Sequence, residues 1–368
     1  MRRCVKIFFK ALYLSVRTIL LWPFLVFRKT LLPRPEQIHT ILLLRHDRIG
    51  DMVISTSVFQ ALKERFPAAA IIVLASERNA ALIQNDPAVG EIIIYKDIVA
   101  FRRECRKRRI DLAVDLFLTY ELKQAFLLFL SGAKYRLGFE EAGREVFFNI
   151  KGPRISSCRS MRDQLHGLLV PLGVTAKYLE PRLIVSEAEK KEAAVYLASV
   201  GLRKEDLKIA MHPGGFYRTQ RWSRERFVEV ARRCVDRYDA RIILFGDATD
   251  RELISGMQKE IGRGCAAAAA LSLRQFAAVL AQCNLLLCNN SGPLHIAAAL
   301  GVPTVSTLGP TDRNLWSPEG KNHIVLSGNL PCSPCSRIVC AVHTCMDSIT
   351  VSQFLEAVET QLAGMGKA

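Results

Sequence analysis

A short polar run, NNSG at residues 289–292, has the composition of a phosphate-binding turn. It separates an apolar stretch, Leu285–Cys288, from a small-residue stretch, Pro293–Leu300, and this pattern predicts a strand, a turn and a helix. The free N–H groups and the positive dipole end at a helix N-terminus attract anions. His295 falls on the first helical turn, where it would face either a ligand or the core. The alternative is an ordinary turn between a strand and a helix that binds nothing.

Two other loops in the C-terminal half also follow a predicted strand and precede a predicted helix. The first begins with the turn HPGG at 212–215 and carries guanidinium groups, which suit a diphosphate because each can donate two hydrogen bonds at once. The second, at residues 246–252, carries carboxylates that could accept hydrogen bonds from ribose hydroxyls. Together the three loops predict a nucleotide-diphosphate site. Its candidate donor-binding residues are His212, Gly214, Arg218, Thr219, Arg221, Asp250, Glu252, Asn290, Ser291, Gly292 and His295.

The N-terminal half offers a different chemistry in the run RHDRIGD at 45–51, which follows the predicted strand Thr40–Leu44. The run lacks the GxGxxG pattern of a dinucleotide site. Asp51 falls at the start of a predicted helix, whose dipole favours an ionised carboxylate. Such a carboxylate can act as a general base, whereas the alternative is that Asp51 only caps the helix. Arg45 and Arg48 of the same run are candidate contacts for an acceptor.

These loops need secondary-structure elements that bring them to the edge of a sheet. From Thr40 onward, short apolar strands alternate with helical segments, which predicts parallel sheets covered by helices. The composition turns polar and charged around Pro181–Arg203, so a domain boundary is expected there. The prediction is an α/β protein with an N-terminal segment at 1–39 and two Rossmann-like domains at 40–184 and 185–368. In such a pair, ligands bind in a central cleft that the carboxyl ends of both sheets face.

Several local predictions can be checked individually. The spacing predicts a helix over Glu77–Gln84, a possible strand over Val146–Ile150 and a helix over Met161–Leu172. Ser223 is a predicted N-cap. Capping boxes are expected where serine or threonine precedes glutamine by three residues. They are Ser272 with Gln275 and Thr350 with Gln353.

The net charge of +16 indicates an anionic partner. Residues 1–39 contain eight Lys/Arg against one acid, Glu36, and a second basic cluster spans Arg102–Arg109. No zinc-finger, RNP-type or basic-zipper pattern accompanies this charge, so nucleic acid is not the expected partner. Lipid head groups or a phosphorylated substrate remain, although the second cluster could also be a solvated helix face.

The segment Ile7–Phe27 is mostly apolar and has basic flanks. Lys10 and Arg17 would each cost about 3 kcal/mol inside a bilayer-spanning helix, and no small-residue cleavage site follows the segment. We therefore expect an amphipathic or hydrophobic helix that lies on a membrane surface, with its cations toward anionic lipid. The alternatives are a helix that packs on the protein's own surface and a helix that spans the bilayer.

The chain contains eleven cysteines, several of them inside apolar runs, as expected of reduced core thiols. Cys332, Cys335, Cys340 and Cys345 form a separate cluster, and its first pair has the spacing of zinc ligands. The remaining spacings are not those of a familiar zinc knuckle. A structural zinc site and reduced or loosely paired thiols are therefore both open, and no metal or cofactor is expected in the chemistry itself.

Three runs, in this order, resemble the signature stretches of glycosyltransferase family 9, the heptosyltransferases of lipopolysaccharide core assembly. The resemblance extends from about Thr40 to the C-terminus. The runs are LLRHDRIGDMVISTSVFQALKERFP, HPGG…RWSRERFVEV and NNSGPLHIAAALGVPTVSTLGPTD.

The resemblance implies a GT-B fold and an inverting transfer of heptose from ADP-heptose to lipid A/core oligosaccharide or another lipid-linked acceptor. It also implies a peripheral or monotopic protein at the cytoplasmic face of the inner membrane, in contact with membrane lipids. The family's proposed base falls on Asp51. The family's contacts to the sugar diphosphate fall on Ser291, Gly292 and His295, and its ribose-binding acid falls near Asp250 or Glu252.

Two positions depart from the family pattern. Asn290 stands where an aspartate is usual, and Gln220 stands where a lysine often precedes the tryptophan by two residues. These departures keep two alternatives open. One is a GT-B transferase or epimerase that uses another nucleotide sugar, and the other is a catalytically silent nucleotide-binding scaffold at the membrane.

Overall fold

The computed structural model describes residues 12–21, 32–155, 160–174, 179–328 and 330–367. The chain divides into two compact units, Met1–Pro181 and Arg182–Ala368. Each unit contains one six-stranded sheet, and every pair of neighbouring strands is parallel. Parallel pairing requires crossover connections, which the helices between the strands provide.

The first unit has the strand order β3-β2-β1-β4-β5-β6. Apolar side chains of its strands and helices, among them Leu42, Phe101 and Phe148, form a buried core. The strands are β1 (Thr40–Leu44), β2 (Ala70–Ala75), β3 (Glu91–Ile94), β4 (Leu112–Asp115), β5 (Tyr135–Phe139) and β6 (Ile150–Gly152). The helices are α1 (12–21), α2 (Ile49–Arg65), α3 (Ile98–Arg108), α4 (Leu122–Leu130) and α5 (Met161–Leu168).

The second unit has the strand order β12-β11-β10-β7-β8-β9. Its core includes Trp222, Phe227 and Phe354, whose rings pack together. The strands are β7 (Lys208–His212), β8 (Arg241–Gly246), β9 (Cys265–Ala269), β10 (Leu285–Asn289), β11 (Thr304–Leu308) and β12 (His323–Ser327). The helices are α6 (Glu187–Ser199), α7 (Arg224–Tyr238), α8 (Arg251–Ile261), α9 (Leu273–Leu280), α10 (Gly292–Ala299), α11 (Arg313–Trp316), α12 (Thr344–Asp347) and α13 (Val351–Gly364).

Both sheets have the Rossmann strand order, because each runs outward from its first strand in two directions. The order reverses between β1 and β4 in the first unit and between β7 and β10 in the second. At such a switch point the two loops after the strands diverge and leave a crevice at the carboxyl ends, which is where ligands bind in this fold. Three of the four loops that the sequence selects, 45–51, 212–222 and 289–295, begin at the ends of β1, β7 and β10, and the fourth, with Asp250 and Glu252, follows β8.

Many local predictions are confirmed. The strands β1, β2 and β11 have the predicted bounds, and Ser223 accepts a hydrogen bond from the backbone N–H of Arg226 as an N-cap. Both predicted capping boxes are present, one before α9 and one before α13.

Other local predictions are wrong. The helix predicted over Glu77–Gln84 is only a 3-10 turn, Ala80–Ile83. The strand predicted over Val146–Ile150 is a 3-10 turn followed by β6, which begins at Ile150. The α-helix that begins at Met161 ends at Leu168, because Pro171 has no N–H for a continuing helix.

The sequence did not predict β9 or β12. The strand β9 consists of one cysteine and four alanines, and its pairing with β8 overrides their low strand propensity.

Only residues 12–21 of the predicted membrane segment are described, and they are helical; the rest of Ile7–Phe27 lies outside the described residues. Arg17 is buried against the first unit, where its Nε donates to the carbonyl of Ala142 at 2.8 Å and its Nη2 donates to the carbonyl of Tyr120 at 2.8 Å. The expectation that Arg17 faces anionic lipid is therefore wrong, because these carbonyls take up its guanidinium donors. In the described part of the chain, no helix has the length and apolar character needed to cross a membrane.

A fully buried ion pair anchors the carboxyl end of β4. Arg144 Nη2 lies 2.5 Å from Asp115 Oδ2, and Arg144 Nη1 donates to the carbonyls of Phe117 at 3.1 Å and Thr119 at 2.8 Å. Asp115 Oδ1 accepts from the N–H of Phe117 at 2.9 Å. The loop that begins at the switch point is thus tied to one buried guanidinium.

Replacing Arg144 with methionine should lower the free energy of unfolding of the first unit by about 3–5 kcal/mol, because Asp115 would keep a buried charge without its partner. Chemical denaturation followed by circular dichroism measures this loss. The matched control is Lys151→Met at the exposed pair with Glu140, where the N–O distance is 3.3 Å and the expected change is at most about 1 kcal/mol. Equal losses in the two variants would contradict the anchoring role of Arg144.

Candidate functional site

Arg45 forms the centre of the candidate site in the first unit. Only 2% of its side chain is exposed, and its Nη2 donates to the carbonyl of Leu116, across the switch point from β1. Its Nη1 lies 3.2 Å from Asp47 Oδ2 and 3.8 Å from Asp51 Oδ1. Its Nε has no hydrogen-bond partner among the described residues, and the contact of Arg45 with an acceptor stays a prediction. Arg48, by contrast, is exposed and occupies the N-cap position of α2.

The backbone of this loop is held from the other side by a buried asparagine. Asn79 Nδ2 donates to the carbonyl of Arg45 at 3.1 Å, and Asn79 Oδ1 accepts from the N–H of Ser76 at 2.9 Å. Because Asn79 follows β2, it links the loops after two neighbouring strands. The position of the loop is thus set by side chains on both sides of β1.

Asp51 lies in the first turn of α2, and 12% of its side chain is exposed. Burial and the neighbouring negative charge of Asp47 raise the pKa of Asp51 to about 6, and Arg45 and Arg48 oppose part of this rise. The sequence predicted that the helix dipole would favour the ionised form. The direction of the shift is opposite because desolvation outweighs the helix end, although a carboxyl group with this pKa is still mostly ionised at pH 7.

His46 lies between aromatic rings, with its ring centroid 4.7 Å from that of Tyr95 and 5.2 Å from that of Phe117. Burial lowers the pKa of His46 to about 4, so the imidazole is neutral at pH 7. Its Nδ1 has no hydrogen-bond partner among the described residues. A neutral imidazole that is flanked by two rings suits contact with a polar, uncharged group better than binding of an anion.

The raised pKa of Asp51 makes a prediction about stability. A carboxyl group whose pKa is higher in the folded state favours folding fully below its unfolded pKa and loses this contribution as the pH rises through about 6. Asp51→Asn should therefore be more stable than the wild type near pH 7 by about 1–3 kcal/mol, and the difference should vanish below about pH 4.

Thermal denaturation of both proteins across this pH range measures the difference. Glu77→Gln, which removes one negative charge at an exposed position, is the control. A stability difference for Asp51→Asn that does not change with pH would show that the Asp51 carboxyl is not buried as described.

In the second unit, Asn289 bridges the switch point. It is fully buried at the last position of β10. Its Nδ2 donates to the carbonyls of Pro213 at 2.7 Å and Gly214 at 2.9 Å, in the loop after β7. Its Oδ1 accepts from the N–H of Trp222 at 2.9 Å and from Thr307 Oγ1 at 2.8 Å. All hydrogen-bonding positions of this amide are used inside the protein, and they join the loops after β7 and β10 to β11.

The turn at Gly214 approaches Asp250 closely. A Cβ atom on Gly214 would lie 2.7 Å from Asp250 Oδ2 and 3.0 Å from His212 Cε1, which no side chain could tolerate without movement. Asp250 is largely buried, and its Oδ1 lies 3.8 Å from Arg221 Nη1. Arg221 Nε also donates to the carbonyl of Gly215 at 2.9 Å. The structure thus brings His212, Gly214 and Arg221 of the β7 loop together with Asp250 of the β8 loop, and their binding of a nucleotide stays a prediction.

The remaining candidates in the β7 and β8 loops differ in exposure. Arg218 and Glu252 are exposed. Thr219 is buried, and its hydroxyl donates to the carbonyl of Arg337 at 2.8 Å, so this donor is already used within the unit. Gln220, at the position where the family often has lysine, donates to Thr311 Oγ1 at 3.2 Å.

The start of α10 has the predicted local structure. Ser291 is the N-cap residue, Gly292 begins the helix, and the proline falls in its first turn. Asn290 is largely buried, and its Nδ2 lies 3.4 Å from the carbonyl of Trp316. His295 is buried, and burial, together with the nearby His323, lowers its pKa to about 4. His295 is thus neutral at pH 7, and its contact with a ligand stays a prediction.

The cysteine cluster lies beside this site. The carbonyl of Thr219 is 2.9 Å from His343 Nε2, so the cysteine-containing segment packs on the loop after β7. All four cysteines are described and free. Among the described residues, no group of three or more His, Cys, Asp or Glu side chains is arranged to hold a metal ion. The zinc interpretation gains no support from this arrangement.

Sequence reasoning missed Asn289, although it stands next to the selected Asn290. The available signal was its position, since a polar residue at the last position of a buried strand points into the switch-point crevice. It also missed the bridging role of Arg45, which was assigned to the acceptor. The bonds that define both roles join residues that are more than 65 positions apart in the sequence.

Two Rossmann-like units in one chain, each with polar groups at its switch point, are the architecture of the GT-B fold. Residues 98–345 match the model of glycosyltransferase family 9 (heptosyltransferase). The chain belongs to this family and is a glycosyltransferase, and membership in it supports heptose transfer.

Named relatives agree with this assignment. Lipopolysaccharide heptosyltransferase 2 of Salmonella typhimurium is 27% identical over 308 residues, which cover 76% of this chain and 85% of that protein. The structure of E. coli ADP-heptose lps heptosyltransferase II is similar with a TM-score of 0.73 at 25% identity, over 89% of this chain and 99% of that one. A glycosyl transferase family 9 structure from Veillonella parvula has a TM-score of 0.77 at 22% identity, over 89% and 97% of the two chains. The predicted GT-B fold is thereby confirmed.

Proposed function

We propose that this enzyme transfers heptose from ADP-heptose, with inversion, to a lipid-linked acceptor of the lipopolysaccharide core. Family membership supports the heptose, and the names of the relatives support the donor and the acceptor. We also propose that it acts at the cytoplasmic face of the inner membrane, where a lipid-linked acceptor presents its sugar. Each unit has its own role: the first contributes the base, and the second binds the donor.

The observation that carries this proposal is the environment of Asp51. Its carboxylate lies at the switch point of the first unit, and its pKa is raised to about 6. A general base works best with a pKa near the working pH, because it must be ionised and still hold a proton well. The guanidinium of Arg45, 3.8 Å away, keeps the carboxylate in place and limits the rise of its pKa.

In the proposed reaction, Asp51 takes the proton of an acceptor hydroxyl while the hydroxyl oxygen bonds to the anomeric carbon of the heptose. The bond from that carbon to the diphosphate oxygen breaks on the opposite face, so the configuration inverts. The electron pair of the broken bond leaves with ADP. Arg48, which is exposed, and Arg45, which is buried beside Asp51, are the candidates in this loop for contact with the acceptor.

The second unit is proposed to bind the nucleotide diphosphate. Arg218, Arg221 and the N–H groups at Ser291 and Gly292 would neutralise the negative charge that develops on the departing ADP, as fixed donors do at other sites of charge development. Asp250 and Glu252 are the candidates for the ribose hydroxyls. Asn289 joins the loops after β7 and β10, and Thr219 holds the loop after β7, because their polar groups are hydrogen-bonded within the unit.

Asp51→Asn should reduce turnover by about 10²–10⁴-fold and leave ADP affinity unchanged, because the amide cannot accept the hydroxyl proton. Turnover with ADP-heptose and calorimetric titration with ADP measure the two effects. The matched variant is Asp47→Asn, which should keep most of the activity. Because the charge of Asp47 raises the pKa of Asp51, this variant should move the acidic limb of kcat/KM below about pH 6.

Near-wild-type turnover of Asp51→Asn would overturn the assignment of the base. An unshifted acidic limb in Asp47→Asn would show that the limb reports a different group.

Gly214→Ala should weaken ADP binding by about tenfold or more, since its Cβ would displace Asp250. Gly215→Ala is the matched control: its Cβ would lie 3.3 Å from the flexible Cγ of Arg221 and at the ordinary distance of 3.9 Å from two backbone carbonyls, so its loss should be smaller. Calorimetric titration with ADP compares the two, and equal losses would contradict the role of Asp250.

The same titration distinguishes the donor. Gln220 and Asn290 replace charged residues of the family pattern, so another nucleotide sugar is the second candidate. Tight binding of UDP and weak binding of ADP would favour that candidate. Tight ADP binding without turnover in any donor and acceptor combination would favour a catalytically silent protein.

A further inference from the structure

The helix α1 (12–21) has its apolar side toward solvent. Five large apolar side chains of α1 are between 46% and 69% exposed. Their spacing of i, i+1, i+4, i+7 and i+8 places them on one stripe of the helix. They are Leu12, Tyr13, Val16, Ile19 and Leu20.

The opposite side of α1 is the side that contacts the protein. Arg17 donates to the carbonyls of Ala142 and Tyr120, and Leu21 approaches Gly143, where an added Cβ would lie 3.1 Å from Leu21 Cδ1. The helix is thus fixed by the cation of Arg17 and by the approach of Leu21 and Thr18 to Gly143. This is the reverse of an ordinary surface helix, which buries its apolar stripe against the core and exposes its charges.

We propose that the exposed stripe of α1 inserts into a bilayer surface that contains anionic lipid. The stripe consists of aliphatic side chains and one tyrosine, which is the composition of helices that lie at the boundary of head groups and acyl chains. A contiguous apolar face of this kind on a protein surface normally marks an interaction site.

The charge of the surrounding sequence favours a bilayer over another protein. Residues 1–39 contain eight Lys/Arg and one acid, and α1 falls in the middle of this stretch. Cations that flank an apolar helix attract the anionic lipid head groups beneath which its stripe would insert. Because Arg17 is buried, the attraction to anionic lipid would come from the cations before and after α1 in the sequence, and not from the cation of the helix.

This inference deepens the proposed attachment to the membrane and specifies the surface that makes it. Since Arg17 fixes α1 to carbonyls at residues 120 and 142 of the first unit, insertion of the stripe would hold that unit at the head groups. The proposed acceptor is lipid-linked, so this is the unit for which such a position matters. The inference does not depend on which nucleotide sugar is the donor.

Co-flotation of the full chain with vesicles of phosphatidylethanolamine and phosphatidylglycerol tests the inference. The wild type should bind, and Ile19→Ser with Leu20→Ser should lower the bound fraction by about tenfold or more, because two inserted side chains lose their apolar surface. The matched control is Val195→Ser on α6, at a position that is 71% exposed but lies outside the stripe, and it should bind like the wild type. Binding should also weaken with vesicles of phosphatidylcholine alone and with added salt.

Vesicle binding by the double variant at the wild-type level would overturn the inference. A wild type that does not bind vesicles but self-associates through these residues would also overturn the inference, because a second copy would then cover the stripe. Calorimetric titration with ADP keeps this test separate from the proposed function. The double variant should bind ADP like the wild type, whereas loss of ADP binding in both proteins would concern the donor site alone.

Discussion

The structure depends on side chains that cross the switch point of each sheet. Where the strand order reverses, neighbouring loops diverge, and the carbonyl groups at their starts no longer pair with an adjacent strand. Arg45 donates across this gap to the carbonyl of Leu116 in the first unit, and Asn289 donates across the corresponding gap to the carbonyls of Pro213 and Gly214 in the second. Buried carbonyls without partners would be costly, so these two side chains fix the loops on which the candidate sites are built.

The same constraint explains the chemistry proposed for Asp51. Burial at the switch point removes water from the carboxyl group, and desolvation raises its pKa. The guanidinium that closes the gap is close enough to limit this rise. A buried carboxyl group with a raised pKa lowers the free energy of unfolding at neutral pH. Such a loss of stability is common where a site is built for activity. Arg144 and Asp115 support the neighbouring loop by a buried pair, and the charges of Arg45 and Asp47 also act on the pKa of Asp115.

The N-terminal helix shows how a single cation can decide the orientation of an element. By hydropathy alone, α1 would place its apolar stripe against the protein. Two backbone carbonyls, at Ala142 and Tyr120, accept from Arg17 and turn the apolar stripe outward. The orientation follows from the need to satisfy these buried polar groups, which outweighs the burial of a few more aliphatic side chains.

The sequence by itself determined the elements whose causes are local. Apolar runs located strands such as β1 and β11, capping residues located the starts of α7, α9 and α13, and three ordered motifs indicated the family. Only the tertiary structure decided what depends on distant partners. It turned Arg45 and Thr219 inward, made Asn289 a four-bonded bridge, and formed β9 from alanines that favour helix. The physical reason is that hydrogen bonding, burial and strand pairing at these positions depend on residues far away in the chain, and spacing along the sequence does not report which of them will meet.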